Sequence, residues 1–334
     1  MTIPVQTYNE LSPRVQAYAI APLLKRHDAA MVFEKFGQTY VLPNHSSIVA
    51  KFRRYEALPL AITALVEGVT PSGNKPTYTD YTATLAEYGQ FIPYTGFMLD
   101  THQDPILKEY GSLCVQQAAE SMETIRYNVL KGGSQVGYAN GTRATVNTPI
   151  SLAAQRVATA ALWRQRGLYL TEVVSSSPSF RTEPIEAAFV AVCHPDVSND
   201  IRNMQGFISV KQYAANTKPW ANEIGAVDDV RYVRSILAAP FAGSGSVGGA
   251  KGAMRAIGDG VHADVYPVLY ISKDAYGIVP LKGSSAMSLI AHNPGSSGVA
   301  DPINQRGTLG WKTATTSVIL NDNWIYRLEV AVTA

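Results

Sequence analysis

The chain has 334 residues, 46% hydrophobic and 16% charged, which is enough apolar side chain for one large domain or two to three modest ones. With 28 Lys and Arg against 26 Asp and Glu, its net charge of +2 argues against a dedicated nucleic-acid binder that must neutralise many phosphates, although not against a wall facing packed DNA. Only Cys114 and Cys193 are present, so buried free thiols and a reducing compartment are expected rather than a disulfide framework.

The first residues, Met1 to Gln6, lack a basic stretch followed by an apolar core, and no run of about 18 apolar residues follows anywhere. Neither secretion nor membrane insertion is expected. Residues 1–30 mix apolar and polar residues around Pro4, Pro13 and Pro22, a pattern for an extended arm with a short helical piece. Val32, Phe33, Phe36, Tyr40 and Val41 then suggest a strand between Met31 and Leu42, interrupted near Gly37.

A hairpin is expected next, with limbs near 47–65 and 77–98 joined by the Gly- and Pro-rich run Glu67 to Pro76. Its second limb carries Tyr78, Thr79, Tyr81, Thr82, Thr84, Tyr88, Phe91 and Tyr94, residues that favour extended backbone. A two-stranded arm is marginal alone, so it needs a partner subunit or the body of its own; the plainer alternative is an ordinary sheet within one domain. The chain then passes through Leu99 to Pro105 into a long amphipathic helix. Asp104 is a good N-cap acceptor, Pro105 suits the first helical position, and Gly132-Gly133 stops it. Ile106, Tyr110, Leu113, Cys114, Ala118, Met122, Ile125 and Val129 form its apolar face, and Lys108, Glu109, Glu120, Glu123 and Arg126 are expected opposite. At about 1.5 Å per residue, the roughly 27 residues from Pro105 to Lys131 span about 40 Å. A long hairpin feeding a long helix suggests a shell-building protein rather than an enzyme.

A second helix is expected from Thr148-Pro149 to Gly167, then a short apolar strand from Glu186 to Cys193 and a helix after His194-Pro195-Asp196 through Met204. Strands dominate near 227–237, 263–281 and 309–332. This order is α+β rather than alternating βαβ units.

Four motifs invite chemical readings. Gly243-Ser244-Gly245-Ser246-Val247-Gly248 matches a dinucleotide-binding pattern, but Pro240 and the glycines that follow favour a flexible surface loop. Asp100, His102 and Asp104 alternate and would point the same way on an extended chain, as metal ligands do; the simpler reading has Asp104 capping the helix and the others fixing a turn. His194 has no nearby nucleophile pattern, and Cys193 beside it faces the opposite side of a strand, so structural roles are expected for both. Lys51-Phe52-Arg53-Arg54-Tyr55 interleaves basic and aromatic residues that could touch phosphates, yet a solvated or intersubunit strand face suits the balanced charge better. No cofactor, metal or catalytic residue is expected.

Taken in order, Leu58-Pro59-Leu60, Glu67 to Gly73, Tyr94-Thr95-Gly96-Phe97, Leu99 to Pro105, Glu223 to Val227, Val230 to Val233 and Trp311-Lys312 resemble the major capsid proteins of tailed phages, in the branch of the N-four-like podoviruses. The resemblance implies an HK97-type capsid fold: an N-terminal arm and first strand (1–45), an extended hairpin loop (46–95), a peripheral domain with the long spine helix (96–149), a mainly axial domain (150–300) and C-terminal strands returning to the peripheral domain (301–334). It also implies self-assembly into hexamers and pentamers of an icosahedral head around double-stranded DNA. The implied partners are copies of itself, a portal protein, scaffold and decoration proteins, and weakly held DNA, with assembly in the host cytoplasm and residence in the virion. Leu58, Leu60, Ile62 and Leu65 are then the apolar interface candidates, and Arg53, Arg54 and Glu56 their polar complement. An encapsulin-like compartment shell shares the fold and stands as the alternative; a nucleotide-dependent oxidoreductase using Gly243 to Gly248 is the rival from another class.

Overall fold

The computed structural model describes residues 31–65, 67–68, 70, 72–101, 106–171, 187–213, 220–247, 254–282, 288–295 and 301–334. In chain order the strands are β1 (Gln38–Thr39), β2 (Val49–Tyr55), β3 (Tyr78–Thr84) and β4 (Ala86–Thr95), followed by helices α1 (Gly96–Thr101) and α2 (Ile106–Lys131). Then come β5 (Val136–Tyr138), α3 (Leu152–Arg164), β6 (Phe189–Cys193), α4 (Ser198–Arg202), β7 (Ile208–Ser209), β8 (Glu223–Val227) and β9 (Val230–Arg234). The chain finishes with β10 (Tyr266–Ile271), β11 (Tyr276–Pro280), β12 (Ser288–His292), β13 (Arg306–Ile319) and β14 (Ile325–Val330).

These elements make two sheets and a hairpin. A seven-stranded mixed sheet runs β5-β14-β10-β6-β9-β8-β7, and its central strands are buried throughout because both faces are covered. Phe189, Ala191, Tyr232 and Tyr270 face α3 and α4, where Ala158, Leu162 and Ile201 complete the core. Val190, Val192, Val233, Leu269 and Ile271 face the other way, against Phe33, Phe36, Tyr127 and Leu130. The second sheet is organised by β13, which pairs with β4 along one side and with β12 and then β11 along the other. Its helix-facing side buries Tyr94, Leu309 and Trp311 against Cys114, Ala118 and Met122 of α2. α2 therefore lies on one sheet with its middle and on the other with its end, which explains why it must be long.

The helix departs from the expected polar face. Glu123 is 1% exposed and Arg126 is also buried, because the turn at residues 32–36 lies across α2. Glu123 Oε1 accepts the Val32 and Phe33 N–H groups at 2.6 and 2.9 Å, Arg126 lies 3.4 Å from Glu34, and the Tyr276 hydroxyl donates to the Phe33 carbonyl. Two buried aromatic rings in that turn, Phe33 and Phe36, act as anchors where a strand was expected; the pairing is confined to Gln38–Thr39, parallel to β11, and a single parallel bridge from Leu42 to Leu281. Periodicity sees one face of a helix and misses a second contact formed by a distant segment.

Other expectations shift in detail. The second helix starts at Leu152, capped by Ser151 whose hydroxyl accepts the Ala154 N–H, and ends at Arg164. The 309–332 stretch is β13 and β14, which join different sheets. Asp104, Pro105 and His102 lie outside the described residues, so the cap and the alternating Asp-His-Asp reading do too, as does the arm at 1–30. The resemblance-based boundaries put 276–292 with an axial unit, whereas β11 and β12 join β13 in the sheet beneath α2.

Candidate assembly interface

The hairpin is shorter than the sequence pattern suggests, since β3 stops at Thr84 and β4 leaves to pair with β13 over ten residues. What projects is the β2-β3 ribbon, seven residue pairs from Val49↔Thr84 to Tyr55↔Tyr78. Its base is anchored by Ala50, Ala83, Leu42 and Val279, with Phe52 set against Gly277. A Cβ at Gly277 would sit 2.8 Å from the tip of the Phe52 ring, so a larger residue there would make the ring shift.

Beyond the base the ribbon has little apolar interior, and it is held by polar pairs. Arg53 and Asp80 are cross-strand partners joined by two hydrogen bonds of 2.8 and 2.9 Å, and the Arg53 guanidinium lies 4.1 Å from the Tyr78 ring centre. Glu56 accepts from Arg54 and from the Thr79 hydroxyl, each at 3.0 Å. The hydrogen bonds from Arg53 and from Arg54 hold the carboxyls of Asp80 and Glu56 below the usual carboxylate range. Such exposed pairs add little stability, so their effect here is orientation of the ribbon.

From Ala57 to Val66 no residue is charged. In this run Leu58, Leu60, Ile62 and Leu65 are 57, 78, 86 and 77% exposed. An isolated exposed leucine means nothing, but four in eight residues make an exposed apolar patch among the described residues. The seven candidate residues thus share one extension: Arg53, Arg54 and Glu56 set its stem, and the four apolar residues occupy its tip.

The rival motifs have structural employment. The Gly243 segment opens no helix among the described residues; the Asp264 carboxylate, 1% exposed, accepts the N–H groups of Gly243, Ile257 and Gly258 and ties both flanks of the loop. The expected flexible loop is therefore pinned at its described ends. No sequence motif marks Asp264; an acidic residue at the start of an apolar strand was the available signal. His194 accepts the Asp196 N–H as a turn cap, and burial lowers its pKa. Burial pushes the Cys193 thiol up to about 12, which suppresses thiolate chemistry. Among the described residues no group of three His, Cys, Asp or Glu side chains could hold a metal ion, and no helix is long and apolar enough to cross a membrane.

Among the described residues the body is two sheets bridged by one helix, with a ribbon whose apolar run stays exposed. A family model described as phage capsid protein matches residues 79–272, more than half of the chain, and the chain belongs to that family. Its fold is similar to the capsid of Ralstonia phage GP4 at 10% identity and TM-score 0.70, covering 100% of this chain and 99% of that one. The capsid of Cyanophage P-SCSP1u gives 12% identity, TM-score 0.62 and coverage of 95% and 93%. The head of Helicobacter pylori bacteriophage KHP40 gives 10%, 0.60 and coverage of 98% of each chain. A comparison with curated proteins gives no match. The chain is thus a structural capsid protein of a phage head with the α+β HK97-type fold, resident in the virion, and neither the compartment-shell nor the oxidoreductase alternative is supported.

Proposed function

We propose that this coat protein closes its shell by laying the Leu58–Leu65 tip of each subunit on a neighbour, within hexamers and pentamers that enclose double-stranded DNA. The observation that carries this reading is the exposed, uncharged tip on a polar-braced ribbon. Burying an aliphatic side chain fully is worth about 1.5–3 kcal/mol, so four give roughly 6–12 kcal/mol before losses. Association itself costs an estimated 4–15 kcal/mol, so one engagement is close to break-even and repetition around a closed ring is what favours the shell. A portal protein, scaffold and decoration proteins are the further partners in this reading, assembly takes place in the host cytoplasm, and the near-neutral charge fits weak, nonspecific contact with packaged DNA.

In domain terms, residues 1–45 act as arm and first strand, the β2-β3 ribbon and its loop as the extended loop, and the β13 sheet with α2 as the peripheral unit. Sheet membership supports assigning the axial unit to the seven-stranded sheet with α3, and β11 and β12 to the peripheral one.

The test is to remove residues 57–76. The Glu56 N–H donates to the Thr77 carbonyl at 2.9 Å, so the strands already meet there and an Asn-Gly turn can close them. Negative-stain electron microscopy should show shells, capsomers or tubes for the intact chain and only folded subunits for the shortened one. Normal particles from the shortened chain would overturn the proposal.

A further inference from the structure

The outer face of α3 departs from the usual pattern of a helix packed on a sheet. At about 100° per residue, Ala153, Arg156, Val157, Ala160, Trp163 and Arg164 share one arc of about 120°, opposite the buried Gln155, Ala158, Thr159 and Leu162. Such an arc normally carries charged and polar residues. This one has two arginines, no acid, and Val157 and Trp163 at 60 and 51% exposed. From Pro149 to Thr171 the chain holds three arginines and no Asp or Glu. Past the helix end Arg166 and the exposed Leu168 follow, and the Lys273 N–H donates to the Leu168 carbonyl at 3.0 Å. Arg156 pairs with Asp228 at 2.8 Å, whereas Arg164 and Arg166 have no carboxylate partner among the described residues. Trp163 packs edge-on against Tyr169 and Phe189, with ring centres 5.0 and 6.2 Å away, so it is held in place while half of it faces out.

We propose that this face is a docking site for an acidic amphipathic helix of a partner protein. Trp and Arg are the residue types that anchor protein interfaces, and an indole already held by its neighbours loses little freedom on binding. The unpaired Arg164 borders apolar surface, so the partner must set carboxylates beside methylenes, as a helix with an apolar stripe edged by Glu does. Small side chains at Ala153 and Ala160 let two helix axes approach to about 8–10 Å, and the stretch from Ala153 to Arg164 is about 18 Å long, a match for three to four turns. A second copy fits poorly, because antiparallel packing centred on Ala160 sets each Arg156 against an Arg164. Nucleic acid fits poorly too, since phosphates would meet Val157 and the alanines between the arginines.

The probe is a fluorescein-labelled, end-capped peptide of about 14 residues, with Leu and Ala along one helix face and Glu on both borders. Anisotropy titrations with the full-length unassembled subunit at low salt should show saturable binding. Val157→Glu and Arg164→Glu should each weaken it at least about tenfold without moving the urea midpoint, because both positions are exposed. Lys108→Glu makes the same charge change at an exposed position of α2 and should leave the affinity within about twofold. An equal loss with Lys108→Glu, equal binding of a peptide with Lys in place of Glu, or no binding at all overturns the proposal. Duplex DNA that displaces the peptide from wild type also overturns it and gives the face to nucleic acid. Residues 172–186 carry three glutamates and are the rival within the chain. Thr171 and Ala188 already meet, N–H to carbonyl at 3.2 Å, so a short Gly-Ser link can replace that segment. Binding confined to the shortened chain would give the face to the chain itself and overturn the outside partner.

Discussion

Replacing Glu123 with alanine removes the acceptor that holds the turn at residues 32–36 against α2. Two buried N–H groups, Val32 and Phe33, then lose their partner. Leaving a buried donor unmade costs about 1–3 kcal/mol, so the pair predicts a loss of roughly 2–6 kcal/mol, to which a small cavity adds. Glu123→Gln keeps a carbonyl oxygen for both donors and discards the buried charge, but sets an amide NH2 where Oε2 has no partner among the described residues, so it should lose about 1–3 kcal/mol, less than the alanine variant. The two variants also separate in pH. Burial raises the Glu123 pKa above its ordinary 4.5, outweighing the N–H groups that lower it. The folded state therefore binds the proton more tightly than the unfolded one, and this group's contribution is fullest below 4.5 and is lost as pH rises through the raised value. The glutamine variant loses that slope. Urea unfolding of unassembled subunits, followed by tryptophan fluorescence, reads both effects, and Trp220 packs edge-on against Phe36 at 4.9 Å as a local reporter. An alanine variant as stable as wild type, or a glutamine variant as weak as the alanine one, would refute the reasoning.

Three further outcomes follow from the same kind of accounting. Glu223→Ala strands the buried Arg231, which makes two 2.7 Å bonds to that carboxylate, and should cost about 3–5 kcal/mol in urea unfolding; Glu223→Leu with Arg231→Met should recover much of it. Asp264→Ala should raise hydrogen–deuterium exchange at Gly243, Ile257 and Gly258 far more than in β10, since one carboxylate holds those three N–H groups. Cys193, fully buried with its thiol pushed up to about 12, should resist thiol reagents at mildly alkaline pH until the subunit unfolds, and rapid native labelling would contradict its placement.

What could be read from the residues was whatever depends on neighbours in sequence. The end of α2 at Lys131 before Gly132-Gly133, the apolar stripe that meets β13, and the strand ending at Cys193 all follow from local pattern. The uncharged run from Ala57 to Val66 is legible in the same way, whereas naming Leu58, Leu60, Ile62, Leu65, Arg53, Arg54 and Glu56 as interface candidates rested on the family resemblance. The misses come from long-range pairing. β4 resembles a continuation of β3, and only the presence of β13, more than two hundred residues later, decides that it belongs to the body. Glu123 and Arg126 look like surface charges on a helical wheel until the 32–36 turn covers them, and Asp264 has no signature beyond being acidic.

The burial of charge separates two kinds of surface in this subunit. Glu123, Glu223, Asp264 and Glu329 are buried, and each has protein donors: backbone N–H groups for Glu123 and Asp264, Arg231 for Glu223, Arg143 for Glu329. Those carboxylates stabilise the body only while every partner stays in place, so damage to them is read as unfolding. The ribbon obeys another rule. Arg53 pairs with Asp80 and Arg54 with Glu56 in water, and Leu58, Leu60, Ile62 and Leu65 stay mostly exposed. A substitution at Leu60 or Ile62 has almost no folded-state contact to lose, so it should leave unfolding unchanged and act on assembly alone. That separation keeps an exposed, marginal contact from endangering the fold, and a shell of many copies needs its contacts to be individually weak so that misplaced subunits can leave.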